Sequence, residues 1–196
     1  MSWRNSKTRY GTIAVAFHWL VAIFFLGNLG LGAYMSTLQL SDPNLFNLFQ
    51  LHKSFGISIF VVVVFRLAWR LVDTPPPLPE DMAWWEKWAA SLTHLGLYAV
   101  LVAMPLTGWI IVSASPFNIP TRVFDLIALP HISFIATDPD KDRWLAVGEW
   151  GHWLLAWSAG AAVFLHAAAA LRHHFILKDN ILHRILPINA RAKDAS

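Results

Sequence analysis

Four long apolar runs, at residues 12–35, 49–72, 91–114 and 147–177, alternate with short stretches rich in charge, proline and turn residues. A helix crosses a hydrocarbon core about 30 Å thick with about 20 mostly apolar residues rising about 1.5 Å each, so every run is long enough to be a membrane span. The fourth continues beyond the lipid into the polar cluster Arg172, His173, His174 and Lys178. The first follows Arg4, Lys7 and Arg9 in the manner of a secretory leader, but its apolar run is long and lacks a small-residue cleavage site. It reads as a retained helix. The pattern predicts an all-α fold, a membrane-spanning four-helix bundle, with residues 1–196 forming one domain.

The connectors differ in kind. Residues 73–88 contain Thr74-Pro75-Pro76-Pro77-Leu78-Pro79, which favours extended polyproline geometry and ends the preceding helix. In the third connector, residues 123–136 are apolar, but the stretch is too short to cross a bilayer and is broken by Pro130. It is expected to lie on the membrane surface or to cap the bundle.

Composition narrows the chemistry. With 56% hydrophobic and 14% charged residues, lipid is the expected solvent. The absence of Cys excludes disulfides, Cys-zinc sites and Cys-ligated iron–sulfur clusters, leaving histidine as the available soft ligand. The net charge of +3 does not point to nucleic acid, because the basic residues flank the spans instead of lining a polar face. On the side of the termini and the second connector lie Arg4, Lys7, Arg9, Arg66, Arg70, Lys87, Arg172, Lys178, Arg184, Arg191 and Lys193; on the other lie Lys53, Arg122, Lys141 and Arg143. The positive-inside rule then puts both termini of this multi-pass chain in the cytoplasm, with the opposite face periplasmic if the host is a Gram-negative bacterium. Trp84, Trp85 and Trp88 suit a membrane-interface belt or a partner surface.

Ionisable groups inside a span are costly and face the bundle interior. His18 and His166 are predicted at similar depth toward the cytoplasm, and His52 and His152 at similar depth toward the opposite face. Fourteen residues separate His152 from His166; at about 100° and 1.5 Å per residue this returns the side chain to within about 40° of the same face, about 21 Å along the helix. A single metal ion cannot bridge that gap, whereas two porphyrins stacked along the bundle can. Small residues four positions from the histidines leave room for such plates: Ala14 and Ala22 around His18, Gly148 and Ala156 around His152, Ala162 and Ala170 around His166, and Gly56 after His52. The expected cofactors are two haem b groups with these four histidines as axial iron ligands. Two imidazoles leave no open coordination position, which suits electron transfer. Arg66, fourteen residues after His52, needs an anionic partner, for which a haem propionate serves inside the bundle unless the side chain snorkels to the headgroups; His94 lacks an evident partner and is a candidate propionate or quinone contact. His131 and His183 are expected to be solvated.

The segments Phe17-His18-Trp19-Leu20, Leu51-His52-Lys53-Ser54-Phe55-Gly56-Ile57-Ser58 and Leu165-His166-Ala167-Ala168-Ala169-Ala170-Leu171-Arg172-His173-His174, followed by Lys178-Asp179-Asn180, resemble the bacterial cytochrome b561 family over nearly the whole chain. The resemblance implies a four-helix di-haem b protein of the bacterial inner membrane exchanging electrons with the quinone pool. One branch of that family oxidises superoxide at the periplasmic face and reduces ubiquinone, which makes a superoxide:ubiquinone oxidoreductase the leading expectation. In that scheme Lys53, beside His52, is the donor-side cation, with Arg122, Lys141 and Arg143 forming a funnel or else pairing with Asp138, Asp140 and Asp142. His173 supplies protons to the quinone, with Arg172 and Lys178 orienting it. The alternatives are a membrane-anchor cytochrome linking a periplasmic redox partner to the quinone pool and, from another class, a His-lined metal or proton transporter.

Overall fold

The computed structural model describes residues 2–187, so Arg191 and Lys193 of the charge comparison lie outside the described residues. Four long helices form the bundle: α1 (Thr12–Met35), α2 (Leu45–Val72), α3 (Trp84–Ala114) and α5 (Lys141–Arg172). All four are long and apolar enough to cross a membrane. The short helix α4 (Ser133–Ala136) and the strands β1 (Thr121–Val123) and β2 (Ile127–Leu129) lie in the third connector.

Helix α1 covers the expected residues, whereas α2, α3 and α5 begin at least a turn before their apolar runs do. Hydropathy measures only the part of a helix that meets hydrocarbon; backbone hydrogen bonding continues into the headgroup region, where polar side chains carry no penalty. Trp84, Trp85 and Trp88 are accordingly the exposed first turns of α3 and not part of the preceding connector.

Few side chains are buried, because most of each helix faces what would be lipid. The core that does exist is compact: Val21 and Phe25 of α1, Ile59 and Val63 of α2, Leu101 of α3 and Ala159 of α5. On every helix these residues lie between the two levels at which histidines occur. On α5, His152, Ala159 and His166 follow one another at intervals of seven, so Ala159, with no exposed surface, sits midway on the same face.

The two ends of the bundle close differently. At one, the third connector folds into an antiparallel hairpin, with Arg122 paired to Ala128, and packs on α2. Ser54 anchors it: the hydroxyl oxygen accepts from the Phe124 amide at 2.9 Å, and Oγ lies 2.8 Å from the Gln50 carbonyl and 3.1 Å from that of Arg122. Gln50 Nε2 donates to the Pro120 carbonyl at 3.1 Å, Trp109 Nε1 to Pro130, and the Ile132 amide to Ser113 Oγ at 2.9 Å. Of the two roles expected for this apolar stretch, capping the bundle is the one it adopts. Asp138 accepts from the Asp140 amide and Trp144 Nε1, bonds that hold its carboxyl below the usual carboxylate range.

At the other end the N-terminal segment, the proline-rich connector and the C-terminal tail interlock. Asn5 donates through its amide to Asp73 and through Nδ2 to the Asp73 carbonyl, and the Arg4 guanidinium lies 3.4 Å from the same buried carboxylate. Tyr10 donates its amide to the Arg184 carbonyl, Trp19 Nε1 to Ile185 at 2.8 Å, and Arg184 Nη1 to Pro77 at 2.7 Å. Both ends of the described chain therefore lie on one side of the bundle.

Because Ser54 is almost wholly buried beneath the hairpin, Ser54→Ala leaves the Phe124 amide without its acceptor, at a cost of about 1 kcal/mol. Proteolytic nicking of the detergent-solubilised protein within residues 118–126 is expected to accelerate several-fold while the helices stay intact; an unchanged nicking rate means the hairpin is held by other contacts.

Candidate cofactor site

Two histidine levels face the bundle interior. At the hairpin end, His52 of α2 and His152 of α5 have ring centroids 6.2 Å apart; at the end where the termini meet, His18 of α1 and His166 of α5 are also 6.2 Å apart. With a metal–nitrogen bond of about 2.0–2.1 Å and a ring nitrogen about 1.1 Å from its ring centre, two imidazoles on opposite sides of one metal atom have centroids about 6.2 Å apart. Either pair would be able to hold one metal atom between its two rings. His94 of α3 meets His166 edge-on at 5.4 Å, too close for that arrangement.

Each level has its own surroundings. Thr107 Oγ1 donates to the Met104 carbonyl at 2.8 Å and lies 2.9 Å from His152 Nδ1. A hydroxyl has one proton, so with that proton on Met104 it accepts from His152 Nδ1–H and leaves the Nε2 lone pair free for a metal. On α1 a Cβ at Gly32 would come 3.1 Å from His52 Cε1, and on α3 a Cβ at Gly108 would come 3.6 Å from His152 Cε1. Glycine thus lines the side of each imidazole at this level.

The other level opens into a cleft at the end of the bundle where the termini meet, with about 150 Å3 of enclosed space. His18, His94, His166, Arg66, Tyr98 and Ala14 are among the residues that line it, as is Ala170. Arg66 Nε donates to the Tyr98 hydroxyl at 3.0 Å, Nη2 lies 3.2 Å from His18 Nδ1, and Nη1 is buried without a partner. Arg66 and Arg70 both lie over the Tyr98 ring, with Cζ atoms 5.7 and 5.9 Å from its centroid. A buried guanidinium with an unused N–H at a cleft suits an anionic group such as a carboxylate. The paired imidazoles, the clearance and this orphaned donor all fit haem.

The structure alters several expectations. Gly148 serves helix packing: a Cβ there would meet Ile111 Cγ1 at 3.0 Å and Ile110 Cγ2 at 3.2 Å, so it lets α5 approach α3. Lys53 donates from Nζ to the Pro120 carbonyl at 3.3 Å, and Arg122 pairs with Asp125 at 3.6 Å and not with Asp138, Asp140 or Asp142. Arg172 is held by Glu86 of α3 at 2.9 Å, so it is not free to orient a quinone. His173 pairs with Asp179. His131 is half-buried with Nε2 3.3 Å from the Ile119 carbonyl, and His183 is half-buried against His174, with centroids 4.9 Å apart; neither is simply solvated.

The sequence reading missed Gly32, Gly108, Thr107 and Tyr98. A register signal was available for the glycines. Gly32 is fourteen residues after His18 and Gly108 fourteen after His94, the same interval as His152 to His166 and His52 to Arg66. Thr107 and Tyr98 had no such signal, because their roles depend on which helix lies opposite.

Membrane-length helices that turn imidazoles toward one another define a polytopic membrane bundle with an interior suited to a planar metal cofactor. A family model of prokaryotic cytochrome b561 matches residues 9–187, and the chain belongs to that family of membrane electron-transfer proteins, which bind haem b. It is 38% identical to cytochrome b561 homolog 2 of Escherichia coli (strain K12) over 187 residues, covering 95% of each chain. It is 29% identical to the probable superoxide oxidase CybB of Yersinia pestis, covering 91% of this chain and 96% of that one. With cytochrome b561 homolog 1 of Escherichia coli the identity is 25%, over 91% of this chain and 97% of the other.

Gly32→Val adds bulk where even a Cβ is tight against His52, so the ring must turn. The purified variant is expected to retain less haem and to show a disturbed low-spin spectrum; a wild-type spectrum and haem content would mean that the space beside His52 is not needed.

Proposed function

We propose that this cytochrome carries single electrons through two haem b groups, one held by His52 and His152 and the other by His18 and His166, from superoxide at the periplasmic face to ubiquinone near the cytoplasmic face. The observation that carries the reading is the common 6.2 Å spacing of the two histidine pairs on either side of one apolar layer. A haem iron held by two imidazoles supplies a one-electron redox change with no position open to substrate. The protein's own residues do the rest.

Val21, Phe25, Ile59, Val63, Leu101 and Ala159 keep water out of the space between the two levels. Thr107 holds His152 with Nε2 available. Arg66 would hold a cofactor carboxylate through its unpartnered Nη1, and with His18 bound to metal through Nε2 its Nδ1–H would no longer accept from the guanidinium, which would favour an anion instead. His94, against His166 in the same cleft, is a second contact for that group.

The hairpin end is the donor side. Lys53 is adjacent to His52 and near the surface, where a cation raises the local concentration of a small anion. Its bond to Pro120 fixes its position without neutralising its charge. Superoxide as donor is supported by the similarity to the Yersinia protein, and the greater charge at the opposite end by the positive-inside rule supports cytoplasmic termini. His173 is the proton donor on the acceptor side.

Purified protein in nanodiscs, supplied with enzymatically generated superoxide and a water-soluble ubiquinone analogue, is expected to consume superoxide and form quinol, with the consumption rate falling as salt rises. Haem that superoxide does not reduce removes the donor assignment; a salt-independent rate removes the role of Lys53. His18→Ala and His152→Ala are each expected to lower the haem content from about two per chain to about one, since each removes an axial ligand of a different iron. Thr107→Val keeps the shape but not the acceptor, and is expected to weaken haem retention at the His152 level by about ten- to a hundredfold. Equal loss from both levels would contradict the pairing.

A further inference from the structure

Where α5 ends, the helix widens into a π-helical turn over His173–Leu177, and the chain leaves it through Lys178 in the left-handed region with φ 55°. Isolated π turns recur at functional sites because they redirect side chains relative to the helix before them. Here the turn folds Asp179 back onto His173: Nδ1 of the ring and Oδ2 of the carboxylate are 2.5 Å apart, and the Asp179 amide donates to the His173 carbonyl at 3.2 Å. The second carboxylate oxygen, Oδ1, accepts from the Ile181 amide at 3.0 Å. Both oxygens of Asp179 are therefore committed, one to the backbone and one to the ring.

We infer that Asp179 is the positioning residue of the proton-delivery site, holding His173 with Nδ1 protonated so that Nε2 serves as the group that exchanges protons with the quinone. This rests on the reading of the protein as a quinone reductase and adds a residue to it. An ionised carboxylate only accepts, so contact with Asp179 fixes the hydrogen on Nδ1 and commits Nε2 to the outward exchange. The His173 side chain is 11% exposed and that of Asp179 31%, so the ring is nearly dry while its partner reaches water.

The chemistry balances. A quinone takes two electrons, delivered singly by two donor oxidations, and two protons. The doubly protonated ring gives its Nε2 proton to a quinone oxygen, keeps its Nδ1 hydrogen on Asp179, and regains a proton from the aqueous side; a second passage supplies the second proton. The negative carboxylate is the counter-charge for the ring during each passage.

Several charges at this end of the bundle have partners of their own, and Lys178 stands next to Asp179 in the chain. Glu86 of α3 holds Arg172, Arg184 of the tail donates to Pro77, Arg70 of α2 lies over Tyr98 of α3, and His183 stacks on His174. Among the described residues, Asp179 is the carboxylate paired with His173.

The test uses full-length protein in nanodiscs, reduced with a limiting amount of dithionite and mixed with a ubiquinone analogue across a range of pH while haem oxidation is followed. In Asp179→Asn one oxygen remains for two duties, and an amide N–H turned toward Nδ1 selects the other tautomer. The expected result is a fall of about ten- to a hundredfold in the maximal rate with little change in the half-saturating quinone concentration. The pH profile of the rate should differ from that of the wild type, because the charged partner of the ring is lost. Asp179→Glu should restore part of the rate, His173→Gln should lose at least as much, and the double variant should be no worse than His173→Gln. Haem spectra and haem content should stay as in the wild type. Wild-type rate and pH profile in Asp179→Asn overturn the inference, as does a loss of rate that tracks loss of haem. A wild-type protein whose reduced haem the quinone cannot oxidise removes the quinone reading itself, and this inference with it.

Discussion

Everything in this bundle turns on the need to give polar side chains a partner inside a low-dielectric slab. An imidazole or guanidinium between apolar helices is expensive unless it meets a hydrogen-bonding group, an anion or a metal. The chain concentrates that cost at two levels and fills the layer between them mainly with Val21, Phe25, Ile59, Val63, Leu101 and Ala159. A fourteen-residue register runs through all four long helices: His18 to Gly32, His52 to Arg66, His94 to Gly108 and His152 to His166. Fourteen residues are close to four helical turns, so each pair lies near one line on its helix, and the packed helices bring four such positions together at each level.

The two levels use that register differently. At the hairpin end two histidines are met by two glycines, and the space those glycines leave is what allows the rings to lie against α1 and α3. At the other end the corresponding positions hold His18, His166, Arg66 and His94, so the cleft there is polar, has Tyr98 in its wall and contains a guanidinium nitrogen without a partner. One level is set up for a buried group enclosed by glycine, the other for a group whose anionic part must be held.

The closures at the bundle ends follow the same economy. The hairpin is fastened to α2 and α3 by side chains reaching its backbone, chiefly Ser54, Gln50 and Ser113, so the carbonyls and amides of an irregular loop are paired near a cofactor level. At the opposite end, Asp73 gathers the N-terminal segment while Trp19 and Tyr10 fasten the tail. The His173–Asp179 pair lies at this end, where α5 gives way to a π-helical turn and the tail.

Much of this was legible in the amino-acid order. The spans follow from the thickness of hydrocarbon, and the facing histidines of α5 follow from helical periodicity acting over fourteen residues, because both depend only on distances along one helix. The helix starts of α2, α3 and α5 were not legible, since hydropathy is blind to helix that continues into the headgroups. What lies across from each histidine was decided only by the tertiary structure. Gly148 meets Ile111 and Ile110, Gly32 meets His52, Thr107 meets His152 and Arg66 reaches Tyr98. Each of these contacts depends on the rotation and depth of a second helix, which no periodicity within the first can specify. Asp179 reaches His173 through a π turn that no helical wheel anticipates. The sequence by itself therefore determined the number of helices and the faces that carry chemistry, while the packing of one helix against another decided which side chains complete each site.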